Sequence, residues 1–139
     1  MIVLDANVLV YAVGEPHPQR DACQRILRAV AEGELQATTT AQVIQEFAQA
    51  YERRRGRAEA SARAADLVDL LAPLLEVDAD AVREALAWFA DTDLDPSGAV
   101  LAAATHLTDG ARLVSGDPGF SVLEERWVTP TALAATLGR

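Results

Sequence analysis

One cysteine, Cys23, stands in the 139 residues, so no internal disulfide can staple the fold. A lone thiol fits a reducing compartment. The two histidines, His17 and His106, share no ligand spacing with that thiol or with each other, which sets aside a zinc site. No apolar run is long enough to cross a bilayer, and no basic leader precedes an apolar region at the N-terminus. A cytoplasmic protein with no membrane contact is the expectation. Ser61, Ser97, Ser115 and Ser121 lack the strand-to-helix turn of a hydrolase nucleophile. The glycines at 116 and 119 make no nucleotide-binding fingerprint. Basic residues are scarce, 12 against 21 acids, for a net charge of -9. That balance argues against a simple basic surface for nucleic acid. It leaves nucleases open, because a metal ion neutralises acidic ligands and bridges them to phosphate.

Half of the residues are apolar, enough for a globular core, and 1–139 reads as one domain without repeats or linkers. Short β-like runs alternate with helical patterns. Strands are expected at 2–5, 35–38, 74–77, 112–115 and 127–128. Cys23, Ile26, Leu27 and Val30 recur at helical spacing and end near Gly33. Thr39 or Thr40 caps a helix carrying Val43, Ile44, Phe47 and Tyr51, which closes before Gly56. An alanine-rich helix follows, carrying Leu67, Leu70 and Leu71 towards Pro73. Val82, Leu86, Trp88 and Phe89 mark another helix, with these side chains expected in the core. The run 99–107 is almost wholly apolar, as a helix buried on a sheet would be, and a tail helix spans 130–137. The alternation predicts an α/β fold with a mostly parallel sheet.

The opening strand, Ile2-Val3-Leu4, stops on Asp5. An unalternating apolar run is a strand buried on both faces, and in open α/β sheets ligands gather beyond the carboxyl ends of the strands. Asp5 therefore stands at the mouth of a site. Glu46 interrupts an apolar helix face, and Asp117 follows the strand at 112–115. Each has a plainer reading: Asp5 as a helix cap, Glu46 on a solvated face, Asp117 as turn chemistry before Pro118. Brought together, the three would repel unless protonated or bound to a cation. Oxygen ligands with open water positions suit Mg²⁺ or Mn²⁺.

Ile2 to Leu9, then Gln45-Glu46-Phe47, then Val114-Ser115-Gly116-Asp117 with Phe120, resemble the successive signatures of PIN-domain ribonucleases, in particular the VapC-type toxins of bacterial toxin–antitoxin pairs. The resemblance spans nearly the whole chain. It implies a three-layer α/β/α sandwich, cleavage of RNA dependent on Mg²⁺ or Mn²⁺, a small cognate antitoxin and a homodimer. It makes Asp5, Glu46 and Asp117 the catalytic and metal-ligating acids, with Asn7 and Ser115 as supporting polar groups. A catalytically degenerate PIN domain that binds RNA or an antitoxin without cutting is the alternative. A different metal-dependent phosphodiesterase on the same scaffold is a third reading.

One position departs from the family. A third acid usually opens the apolar helix in an Asp-Ala-x-x-x-Ala pattern, and here Gly98 stands there, or Ser97 if the register slips by one. Asp95, three residues earlier, is the candidate to compensate, although before Pro96 it also makes a good helix cap, the favoured role. Weakened metal affinity and activity are expected, and an Asp restored at 98 is expected to raise cleavage. Arg53, Arg54, Arg55 and Arg57 form the one basic concentration. They would hold RNA phosphates or, equally, complement a helix C-terminus. The stretch 66–95 is strongly acidic, with Arg83 its single basic residue, and reads as a solvated face.

Overall fold

The computed structural model describes residues 1–14 and 16–138. Four strands, β1 (Ile2–Leu4), β2 (Ala37–Thr38), β3 (Arg112–Val114) and β4 (Trp127–Val128), form one parallel sheet in the order β2-β1-β3-β4. Val3 pairs with Thr38 on one side and Leu113 on the other, and Val114 pairs with Val128. The two central strands are the most apolar: Val3, Leu4, Leu113 and Val114 are all inaccessible to solvent, as strands covered on both faces must be.

Parallel neighbours need crossovers, and the helices supply them. Helices α1 (Ala6–Val13) and α2 (Arg20–Ala31) link β1 to β2, and α2 packs on the C-terminal α6 (Pro130–Ala134). Helices α3 (Ala41–Leu71), α4 (Ala79–Asp91) and α5 (Pro96–His106) link β2 to β3, with α5 against α4 and against a 3₁₀ segment at Pro118–Arg126. The two crossovers run in opposite directions, from β1 out to β2 and from β2 back across β1 to β3, and right-handed connections of opposite direction leave the sheet on opposite faces. The result is the three-layer sandwich expected from the sequence.

Thr40 caps α3 by accepting the Val43 N–H at 3.3 Å. Gly56 breaks the helix with φ 84° and ψ 171°, a conformation that only glycine adopts without strain. The expected end of one helix and start of another therefore fall on a real kink.

Two expectations need correction. The stretch 74–77 is no strand: Leu75 makes a single parallel bridge to Thr40, its N–H bonded to Thr39 O at 2.9 Å. Asp78 already caps α4, accepting the Ala81 N–H at 3.0 Å, so too few residues remain for a ladder. The second correction concerns α4. Val82, Leu86 and Phe89 are not core; they are 41%, 61% and 48% exposed. The helix turns its small residues inward, with Ala81 and Ala85 buried, which lets α4 approach α5 closely. Trp88 alone of the large residues turns in, half-buried, with its ring edge on His106. No helix among the described residues is long and apolar enough to cross a membrane.

Candidate active site

Asp5 is the first residue past β1, and its N–H still reaches across to Val114 O at 3.1 Å. It caps α1: Oδ1 accepts the Ala6 N–H at 2.7 Å. The cap reading is thus correct, and it consumes one carboxylate oxygen only. Oδ2 faces the end of β3, where the fully buried Ser115 donates its hydroxyl at 2.7 Å. Asn7, the second residue of α1, donates Nδ2 to Asp5 Oδ2 at 3.3 Å and to Ser115 Oγ at 3.1 Å. Its Oδ1 accepts the Gly116 N–H at 3.2 Å. Ser115 Oγ also accepts the Asp117 N–H at 3.0 Å. Asn7 and Ser115 lock two strand ends together and aim Asp5.

Asp5, Glu46, Asp93, Asp95, Ser97, Gly98 and Asp117 line one cleft of about 270 Å³, with Leu94, Leu101 and Phe120 as its apolar wall. The acids expected at 5, 46 and 117 therefore share one opening. Asp117 caps the 3₁₀ segment through Oδ1 to the Gly119 N–H at 2.9 Å. Asp95 caps α5, accepting the Gly98 N–H at 2.7 Å. Asp93 escaped the sequence reading. Its only signal was its place two residues before Asp95, on the same side of the buried Leu94.

The acids press on one another. Burial pushes the Asp5 carboxyl above the ordinary carboxylate range; hydrogen bonds from Ser115 and Ala6 oppose this, and the charges of Asp117 and Asp95 add to it. Glu46 is raised too, first by burial, then by the charges of Asp5 and Asp95. Both groups hold protons more tightly folded than unfolded. Their contribution to stability is therefore present at low pH and lost as pH rises from about 4 towards neutrality. In EDTA, Glu46→Gln is expected to gain stability relative to wild type across that interval, read as the difference in Tm at each pH. A difference that stays flat or shrinks would contradict this.

An all-oxygen donor set is what hard cations take, and Mg²⁺ binds through one or two carboxylates while keeping several waters. Among the described residues no three His, Cys, Asp or Glu side chains enclose an ion. The site suits a cation held by few carboxylates and completed by water and phosphate oxygens. Asp5, Glu46 and Asp117 carry the right atoms for it.

The arginines lie elsewhere. None lines the acidic cleft. The Arg54 guanidinium lies against Gly14, at the end of α1 remote from Asp5. Arg55 lines a separate hollow with Val13, Tyr51 and Arg63. Arg53 bonds Gln49 O at 3.4 Å and Arg57 pairs loosely with Glu52 at 3.5 Å. Cys23 is buried, its thiol pushed up to about 12 by burial, so it is inert. His17 stacks on Tyr11 with centroids 3.8 Å apart, and His106 Nδ1 lies 2.8 Å from Glu84 Oε2.

The chain is similar to known proteins over most of its length. The PIN domain matches residues 2–126. Ribonuclease VapC7 of Mycobacterium tuberculosis is 40% identical over 127 residues, 90% of this chain and 88% of the relative. Ribonuclease VapC13 of the same species and a VapC ribonuclease of Mycobacterium bovis are each 31% identical over 123 residues, 86% of this chain and 92% of theirs.

Proposed function

Because this chain belongs to the PIN-domain family, among its VapC members, we propose that it is a metal-dependent endoribonuclease, the toxin of a toxin–antitoxin pair. The observation that carries the reading is the shared cleft at the carboxyl ends of β1 and β3, lined by Asp5, Glu46 and Asp117. A bound Mg²⁺ or Mn²⁺ would supply an activated water and charge stabilisation on the phosphodiester. Asp5, aimed by Ser115 and Asn7, is the principal ligand. Asp117, on the loop after β3, is the second. Glu46 reaches in from α3, with a proton affinity raised towards the range useful to a group that positions or deprotonates water.

No basic side chain among the described residues lines the cleft, so Arg53, Arg54, Arg55 and Arg57 would guide RNA from outside it, through contacts that carry no sequence information. Two protein partners belong to the same reading, a cognate antitoxin and a second copy of the chain. The exposed stripe of Val82, Leu86 and Phe89 is an apolar face for such a partner. Asp80 beside it is already paired with Arg83 at 2.9 Å, and Asp91 favours a basic segment over another copy with the same charge.

The test is cleavage of single-stranded RNA and DNA side by side with Mn²⁺ or EDTA. RNA alone should be cut, and only with the metal. Replacing Arg53 and Arg55 by Gln should raise KM and flatten its salt dependence by roughly one phosphate contact per charge removed. Binding of RNA without cleavage, unchanged by Mn²⁺, would replace this proposal by the non-cutting alternative.

A further inference from the structure

We propose that Asp95 supplies the cation-binding carboxylate that the family places at position 98, and that Gly98 is the condition for this exchange. The inference rests on the metal-dependent reading above and specifies how its site is completed.

Asp95 Oδ1 is held over position 98 by the Gly98 N–H, at 2.7 Å. A Cβ built on Gly98 would come within 3.1 Å of that same oxygen, 3.4 Å of Phe120 Cζ and 3.5 Å of Leu94 Cδ2. A side chain at 98 would therefore start in tight contact, and the group it presses on first is a carboxylate, which would have to give by a few tenths of an ångström. Asp95 and Gly98 line the cleft together with Asp5, Glu46 and Asp117. Asp95's charge is felt at both Asp5 and Glu46, as a carboxylate belonging to the cluster would be.

The cap engages Oδ1, which leaves Oδ2 with no hydrogen bond to a described residue. Capping and ligation are thus compatible, as they are at Asp5, whose Oδ1 caps α1 while Oδ2 faces Ser115. The choice of glycine also needs a reason. Gly98 stands in the first turn of α5, where Gly still costs backbone entropy relative to Ala, so simple loss of an acid is met more cheaply by Ala or Ser. Any of these would press a Cβ on the Asp95 oxygen. With a bare Cα the cap closes to 2.7 Å, against 3.0 Å for the equivalent cap of Asp78 on Ala81. For the same reason Gly98→Asp alone is no clean restoration: it crowds the cap and adds a further negative charge to the cleft.

Mn²⁺ binding measured by titration calorimetry, with no RNA present, tests the exchange. Asp95→Asn keeps an oxygen for the cap but removes the charge, and should weaken Mn²⁺ binding about tenfold or more. Gly98→Ala, which changes no charge, should weaken it as well by displacing that oxygen. The double variant Asp95→Ser with Gly98→Asp moves the carboxylate back, keeps a capping hydroxyl, and should regain most of the affinity. If Asp95→Asn binds Mn²⁺ like wild type while Asp5→Asn does not, Asp95 is a cap only and the nuclease reading survives without it. Failure of the double variant, folded by circular dichroism, to bind better than Asp95→Asn overturns the exchange too. A wild-type protein that takes up no Mn²⁺ overturns both readings.

Discussion

Asp5→Asn is expected to reduce Mn²⁺-dependent RNA cleavage on the order of 10³-fold, since a catalytic cation supplies several kcal/mol at about 1.4 kcal/mol per decade. An Asn side chain keeps Oδ1 for the Ala6 N–H, now 2.7 Å away, so α1 remains capped. Its amide nitrogen replaces the oxygen that accepts from Ser115 at 2.7 Å and Asn7 at 3.3 Å. Donors then face a donor, and the carboxylate that would hold the cation is gone. Cleavage and calorimetric Mn²⁺ binding should be lost together while the far-ultraviolet circular dichroism is retained. A variant that keeps more than about a tenth of wild-type turnover would remove Asp5 from the centre of the chemistry.

The second large effect is on stability, far from the cleft. Arg126 ends the 3₁₀ segment, and its guanidinium donates to four carbonyls: Ala111 at 3.0 Å, His106 at 3.0 Å, Thr105 at 2.8 Å and Thr108 at 2.6 Å. These close the C-terminal end of α5 and its turn into β3. Helix ends leave carbonyls short of partners; here Thr105 and Thr108 O also accept the N–H groups of Thr108 and Ala111, each at 3.1 Å, and Arg126 supplies the remaining donors while its cation complements the helix dipole. Thr105 and Ala111 are buried, so water does not replace the lost donors freely. Arg126→Ala should cost roughly 2–4 kcal/mol, the range for charged hydrogen bonds removed from buried acceptors. Urea unfolding would read it as a lower midpoint at unchanged slope. Lys should restore only part, because an ammonium cannot span a fork of carbonyls. A loss below about 1 kcal/mol would mean that the α5 end is satisfied in another way.

Much of this was legible in the sequence because it follows from short-range rules. Strand β1 is read from three apolar residues ending on an acid, α5 from an Asp-Pro start and an apolar run, the kink in α3 from Gly56. The meeting of Asp5 with Asp117 follows from two strand ends that turn out to be neighbours in a parallel sheet. What escaped depends on distant partners. Apolar periodicity in α4 gives a helix but not which face turns inward; close packing on α5 favours the alanine side and leaves Leu86 and Phe89 outside. Residues 74–77 have strand composition, yet with Asp78 committed to α4 they keep one bridge. Arg126 has no local signature and Asp93 has only its spacing from Asp95, since each takes its meaning from residues far away in the chain.

The strand order carries a last implication. From β1 the chain moves outward to β2, and from β3 it moves the other way to β4, so the backbone parts at their shared border. The hollow beside Asp5 is thus a product of chain path, present whatever side chains furnish it. The acids at 5, 95 and 117 also cap elements of that frame, through one oxygen each, so an amide in their place keeps the frame while the charge is lost. Catalytic power and ligand-holding shape are then separable properties of this architecture, and a lineage can lose the first while the second persists.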